Sequence, residues 1–184
     1  MKSLPNLLAV ARILMTPVIM ALVMAEGTVE NNYTYAVVLF TIAAFTDFLD
    51  GFFARRWNIG TVLGAFLDST ADKLLVTGSL LALIAVDRAS VWVALIIIIR
   101  EFTVMALRGM AALEGQVVKP SMWGKVKANA QFVAIGLAML RLAEPWGPLY
   151  LDEWAMWFAA AITIASGWQY VASFWSVVRA ADRS

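Results

Sequence analysis

The chain has 184 residues, of which 62% are hydrophobic and 15% charged, and its formal net charge is +1. It contains no cysteine and no histidine, which excludes disulfides, thiolate chemistry and imidazole as metal ligand or general base. Acid–base chemistry in this protein must therefore use Asp, Glu, Lys, Tyr or water. We expect no nucleic-acid partner.

Six apolar stretches follow one another, each about as long as the ~20 residues that a helix needs to cross a bilayer. With a mean hydropathy of +0.78, they predict an all-α integral membrane protein with six transmembrane helices in one domain, residues 1–184. Because Pro5 precedes the first stretch and Arg12 lies inside it, we expect an amphipathic N-terminal segment that leads into the first span. The stretches lie near residues 7–25, 34–54, 62–86, 90–111, 124–142 and 154–178.

The basic residues are distributed unevenly between the two sides of such a six-span protein. Most fall at the termini or in the loops after the second and fourth spans, whereas the opposite loops carry Arg88 and Arg141. Cytoplasmic loops of membrane proteins are enriched in Lys and Arg. We therefore predict a multi-pass protein of the cell inner (cytoplasmic) membrane, with both termini and the loop after the second span in the cytoplasm.

Four aspartates flank that loop. Asp47 and Asp50 are three residues apart, and Asp68 and Asp72 are four apart. At 3.6 residues per turn each pair shares one helical face, and the short connection 55–61 makes the two helices antiparallel neighbours. Carboxylates at bilayer depth cost roughly 2.5–3.5 kcal/mol each, and hard divalent cations bind them readily. We predict that the four aspartates hold one or two ions of the Mg²⁺ type.

Small and basic residues surround the aspartates. Gly51, Ala54 and Gly64 leave room for a ligand, and Arg55 can bind phosphate oxygens in a bidentate manner. Two alternatives stay open. An aspartate at a span end is often solvated or paired with an arginine, and intramembrane acids also form ion pathways, as in a small cation-coupled carrier. The far halves of the spans are almost purely apolar, which argues against a pathway.

Residues 47–72 resemble the signature of the CDP-alcohol phosphotransferases, D-x-x-D-G-x-x-A-R, eight residues, then G-x-x-x-D-x-x-x-D. The resemblance implies that family's fold, a homodimer, and a site in which the four aspartates ligate two ions of Mg²⁺ or Mn²⁺. It also implies that the last aspartate is the general base, that the arginine contacts the diphosphate, and that the Gly and Ala residues make room for the cytidine of a CDP-linked lipid. The matching positions are Asp47, Asp50, Gly51, Ala54, Arg55, Gly64, Asp68 and Asp72.

The rest of the chain resembles the family members that transfer a phosphatidyl group from CDP-diacylglycerol to glycerol 3-phosphate. That likeness lies in residues 5–19, 68–73, 96–108 and 123–131, with Ser69 where proline is expected. Four cations predict a site for the phosphate of the acceptor: Arg100, Arg108, Lys125 and Lys127.

Other interpretations of the acceptor and of these cations stay open. Inositol phosphate, serine or phosphatidylglycerol could serve as the acceptor. The cations could instead set the membrane topology or contact anionic headgroups. Arg100 is also expected to pair with its neighbour Glu101.

Overall fold

A computed structural model describes residues 4–57, 62–113, 122–141 and 144–181, but not the side chains at 4–5, 47–57, 62–63, 65, 112–113, 122–123, 125, 169 and 173–181. The described residues form six α-helices, which coincide with the six apolar stretches, so the predicted all-α fold is confirmed for this part of the chain. The helices are α1 (Leu4–Met24), α2 (Asn32–Trp57), α3 (Val62–Ala85), α4 (Val91–Leu113), α5 (Met122–Leu140) and α6 (Leu151–Ala181).

The helices differ in how well they suit a bilayer. Within the described ranges one segment, Asn6–Met24, is both long and apolar enough to span a membrane by length and composition. Asn32–Thr46 and Val126–Leu140 are apolar but shorter. The prediction of six transmembrane helices therefore stays a prediction.

Backbone conformation and local hydrogen bonds explain the end of α1 and the start of α6. Gly27 has a φ of +74°, a conformation that L-residues with a side chain rarely adopt, and it lies just beyond the end of α1. The amide Nδ2 of Asn32 donates to the carbonyl oxygen of Leu22 at 3.0 Å and so caps the end of α1. At the start of α6, the side chain of Glu153 accepts a hydrogen bond from the backbone N–H of Tyr150 at 2.9 Å.

Helix α1 turns its polar side towards the other helices. Leu7 and Leu14 are each 65% exposed, whereas Arg12 has an exposed fraction of 0%. The helix is continuous from Leu4 to Met24, and the described part shows no separate surface segment before it. Arg12, interpreted from sequence as part of an amphipathic start, lies inside the bundle because α3 supplies it with a carboxylate partner.

Apolar side chains from all six helices form a common core. Helix α1 packs against α2 and α3, while α6 packs against α4 and α5. At least one buried core residue comes from each helix: Ile19, Phe40, Leu75, Ile97, Ile135 and Ala159.

Two arginines, Arg88 and Arg141, join the helix ends at the side of the bundle opposite Asp68; we call them the arginine clasp. Arg88 follows α3 and donates to the carbonyl oxygen of Met139 in α5 at 2.9 Å. Arg141 follows α5 and donates to the carbonyl oxygen of Asp87 at 3.3 Å. Arg141 also forms an ion pair of 3.4 Å with Asp152 of α6, which is 2% exposed. The reciprocal contacts fix the ends of α3, α5 and α6 to each other.

Candidate active site

One face of α3 presents three positions of the predicted site. Gly64, Asp68 and Asp72 follow one another at intervals of four residues, so they lie on one face, about one turn apart. The side chain of Asp68 is 47% exposed, and Asp72 is partly buried. The helix therefore holds one carboxylate open to a ligand and a second, partly buried carboxylate one turn further along.

Asp68 is contacted from α1. The guanidinium Nη1 of Arg12 donates to Oδ1 of Asp68 at 3.4 Å. A carboxylate at one end of a bundle would otherwise have to be solvated or bound to a cation. The contact fixes one oxygen of Asp68 against α1.

Asp72 lies in the field of charged residues on other helices. The charges that act on it most strongly are those of Glu101 on α4 and Lys127 on α5, followed by Lys73 and Arg12. Lys73 itself turns back to Ser69 and donates to its hydroxyl oxygen at 2.7 Å. Ser69, the departure from the expected proline, therefore supplies an oxygen that binds the lysine beside Asp72.

Glu101 is the centre of a buried polar network between α4, α5 and α6. Its Oε1 accepts a hydrogen bond from Nζ of Lys127 and lies 3.6 Å from Nη1 of Arg100. Gln131 donates to the same oxygen at 3.5 Å and to Oγ1 of Thr163 at 2.9 Å. Glu101, Lys127, Gln131 and Thr163 are all buried, so the network holds two positive charges around one negative charge, away from bulk water.

Helix α6 shapes the position of Arg100. A Cβ atom at Gly167 would lie 3.0 Å from Cγ of Arg100, so a side chain there would push the arginine. The guanidinium of Arg100 lies 5.5 Å from the ring centre of Tyr170, a distance at which cation–π attraction acts. Gly167 thus leaves room for Arg100, and Tyr170 holds the guanidinium group of Arg100.

The structure brings together part of the predicted acceptor site. Arg100 and Lys127 meet at Glu101, and the predicted pairing of Arg100 with Glu101 is confirmed. Arg108 is exposed on the last part of α4, and among the described residues it forms no ion pair. The side chain of Lys125 lies outside the described ones.

The α2 half of the predicted metal and donor site falls on residues whose side chains lie outside the described ones: Asp47, Asp50, Gly51, Ala54 and Arg55. Their backbone belongs to α2. The described side chains contain no group of three or more acidic residues placed to hold a metal. Asp68 nevertheless fits a hard divalent cation, because it offers a half-exposed carboxylate oxygen donor of the type such ions bind.

Sequence reasoning missed several members of this site. The sequence places Arg12 in an amphipathic N-terminal segment and gives no local signal that Gln131 and Thr163 belong to the site. Arg12 and Asp68 are separated by 56 residues and Gln131 and Thr163 by 32, so local spacing could not link them. A charged residue inside an apolar helix was the available signal for Arg12.

Comparison with known proteins identifies the family of this chain. The model of the CDP-alcohol phosphatidyltransferase family matches residues 2–165. The Bacillus subtilis (strain 168) protein named CDP-diacylglycerol–glycerol-3-phosphate 3-phosphatidyltransferase is 34% identical over 198 residues, covering 99% of this chain and 100% of that relative.

Two further relatives extend the comparison. The protein of the same name from Rickettsia typhi is 37% identical, covering 92% of this chain and 96% of its own length. A probable phosphatidylglycerophosphate synthase of Mycobacterium tuberculosis (strain H37Rv) is 36% identical, covering 92% and 80%. The family is membrane-embedded and generally uses divalent metal ions. The chain contains the complete signature, and the family model matches most of the length of the chain. This chain therefore belongs to the CDP-alcohol phosphatidyltransferase family.

Proposed function

We propose that the protein transfers the phosphatidyl group of CDP-diacylglycerol to sn-glycerol 3-phosphate, giving phosphatidylglycerophosphate and CMP. The observation that carries this proposal is the position of Asp68 and Asp72 on one face of α3, with the buried pair of Glu101 and Lys127 on α4 and α5, which pack against α3. The names of the relatives contain the same donor and acceptor.

In this reaction the acceptor hydroxyl oxygen forms a bond to the phosphorus that carries diacylglycerol. The bond from that phosphorus to the bridging oxygen breaks, and CMP leaves with that oxygen. The hydroxyl proton needs an acceptor, and a carboxylate is the natural group in a chain without histidine. We assign this role to Asp72, which is partly buried and lies one turn further along α3 than Asp68.

Two divalent ions, Mg²⁺ or Mn²⁺, are proposed to be held by Asp47, Asp50, Asp68 and Asp72. When bound, such ions neutralise phosphate charge and align the reacting groups. We assign to the donor-binding residues the roles that the family resemblance implies: a guanidinium that contacts the diphosphate, and small residues that leave space for the cytidine. These residues are Arg55, Gly51, Ala54 and Gly64.

The buried cations favour a phosphorylated acceptor. Arg100 and Lys127 contribute two positive charges beside the carboxylates of Glu101 and Asp72, of which Asp72 is assigned to the metal ions. These cations suit the phosphate of glycerol 3-phosphate, whereas a neutral acceptor would not require them. We assign Arg108 and Lys125 to the same phosphate site, nearer the end of the bundle. Inositol phosphate carries the same kind of charge and is the nearest alternative acceptor.

The membrane arrangement is part of the proposal. We place six spans in the inner membrane, with both termini and the active site on the cytoplasmic side, because basic residues concentrate there. A homodimer is proposed from the family resemblance.

The direct test uses purified protein, labelled CDP-diacylglycerol, Mg²⁺ or Mn²⁺, and each candidate acceptor in turn. We expect CMP release to require both the metal and glycerol 3-phosphate. Release with inositol phosphate, serine or phosphatidylglycerol in place of glycerol 3-phosphate would reassign the acceptor. If no combination released CMP, the proposed enzyme activity would be wrong.

A further inference from the structure

Arg12 is the largest fully buried side chain in the described part of the protein, and the function proposed above leaves it without a role. Its exposed fraction is 0%. Burying a guanidinium is costly unless a counter-charge and hydrogen bonds compensate. Nη1 of Arg12 meets this need by contacting Oδ1 of Asp68 at 3.4 Å. Arg12 thus contacts an aspartate of the family signature.

Close packing of α1 on α3 sets this contact. A Cβ atom at Gly78 would lie 2.7 Å from Cγ2 of Thr16 and 2.9 Å from Sδ of Met20, so the glycine lets the two helices approach. Thr16 also donates through Oγ1 to the carbonyl oxygen of Arg12 at 3.0 Å. Both helices are well packed around the pair, which makes the position of Arg12 a fixed feature of the fold.

We propose that Arg12 is a positioning residue that holds one oxygen of the Asp68 carboxylate and thereby presents the other oxygen to a divalent cation. The inference rests on the proposed function in one respect, the assignment of Asp68 as a metal ligand. Arg12 is fully buried while Asp68 is 47% exposed, so the arginine approaches from the protein side and leaves the open side to the ion.

Two opposing effects decide whether removal of Arg12 weakens or strengthens metal binding. A guanidinium repels a nearby cation, but the exposed side of Asp68 is solvated and this repulsion is screened. Loss of an outer partner of a ligating group typically weakens metal binding about 10- to 100-fold, because the ligand is no longer oriented. Orientation dominates here, so removal of Arg12 weakens metal binding.

The experiment measures Mn²⁺ binding by electron paramagnetic resonance of the free ion, using the full-length protein in detergent. Arg12→Met keeps the length of the side chain and removes its charge and donors, whereas Arg12→Lys keeps the charge. Asp68→Asn and the Arg12→Met/Asp68→Asn double variant complete a cycle. Arg88→Met is the matched control, since it removes an arginine from the opposite end of the bundle.

We expect Arg12→Met to weaken Mn²⁺ binding about 10- to 100-fold and Arg12→Lys to weaken it less. The double variant should bind no more weakly than Asp68→Asn, and Arg88→Met should bind like the parent protein. Unchanged or tighter binding by Arg12→Met overturns the inference, as does full additivity in the double variant. If Arg12→Met does not fold, Arg12→Lys decides: a loss of about threefold or more supports the inference, and parental affinity overturns it.

The two proposals fail in different ways. If Asp68→Asn retains parental Mn²⁺ affinity, Asp68 is not a metal ligand and the proposed metal site is wrong. If Asp68→Asn loses affinity while Arg12→Met retains it, the metal site stands and the positioning role of Arg12 is wrong.

Discussion

The ion pair between Arg141 and Asp152 in the arginine clasp gives the most direct test of what stabilises this fold. Replacement of Arg141 by methionine keeps most of the side-chain volume but leaves Asp152, which is 2% exposed, without its cation. Nε and Nη2 of Arg141 both donate to Oδ2 of Asp152 at 3.4 Å, so both contacts disappear together.

The expected magnitude can be worked from these contacts. Removal of one partner of a buried ion pair costs about 3–5 kcal/mol. The side chain of Arg141 is 22% exposed, and the N-terminus of α6 offers Asp152 partial compensation of about 0.3–1 kcal/mol. Neutralising an ordinary aspartic acid at pH 7 costs about 4 kcal/mol, and this value is the upper limit for the loss in the free energy of unfolding. We therefore expect Arg141→Met to lower the free energy of unfolding by about 2–4 kcal/mol.

The assay is reversible unfolding in mixed detergent micelles, followed by helix content. The Arg141→Met/Asp152→Asn double variant should be more stable than Arg141→Met alone, because the uncompensated charge has gone. Glu144→Gln, at an exposed acid of the same loop, should change stability by about 0.5 kcal/mol or less. A loss below about 0.5 kcal/mol for Arg141→Met, or a double variant as unstable as the single one, would refute the reasoning.

Three further outcomes are expected. Gly78→Ala places a methyl group 2.7 Å from Cγ2 of Thr16 and should cost about 1–3 kcal/mol of stability in the same assay, with recovery when Thr16→Ser removes that methyl. Gly167→Ala crowds Cγ of Arg100 at 3.0 Å and should raise KM for glycerol 3-phosphate roughly tenfold in steady-state kinetics, leaving KM for CDP-diacylglycerol unchanged; equal effects on both substrates would count against an acceptor role for Arg100. Ser90→Cys should react with a membrane-impermeant maleimide in intact spheroplasts, the cysteine-free parent being the control; labelling after lysis alone would reverse the proposed orientation.

The positions of the helices could be predicted because they depend on local composition. The last two predicted stretches, 124–142 and 154–178, correspond to Met122–Leu140 and Leu151–Ala181. The earlier start of α6 reflects its N-terminal capping contact between Tyr150 and Glu153, which hydropathy does not detect. Family membership could be predicted for the same reason, since the signature occupies one continuous segment, and it is confirmed.

The charged contacts between helices that are distant in sequence could not be predicted from one sequence. Arg100 and Glu101 are neighbours, and their pairing was predicted correctly. Lys127, which lies 26 residues from Glu101 in the sequence, contacts Glu101 more closely than Arg100 does. This contact makes the glutamate a centre of the site. Which turn of α5 faces α4 depends on the packing of the whole bundle, because helix periodicity fixes a face but not the neighbour of that face.

In a membrane-embedded fold, ion pairs between helices can favour one helix arrangement over others, which apolar packing alone cannot do. Lipid chains are as apolar as leucine, so burial of apolar side chains does not by itself favour one helix arrangement over another. A buried charge, in contrast, tolerates only an arrangement that brings its counter-charge within reach. Three of the described pairs each select a different helix contact, namely α1 with α3, α4 with α5, and the end of α5 with α6: Arg12–Asp68, Glu101–Lys127 and Arg141–Asp152. Two of these pairs also border the proposed site, so the same charges that specify the bundle position the groups for substrate and metal. A substitution there should therefore change both stability and ligand affinity, whereas a substitution in the arginine clasp should change stability alone.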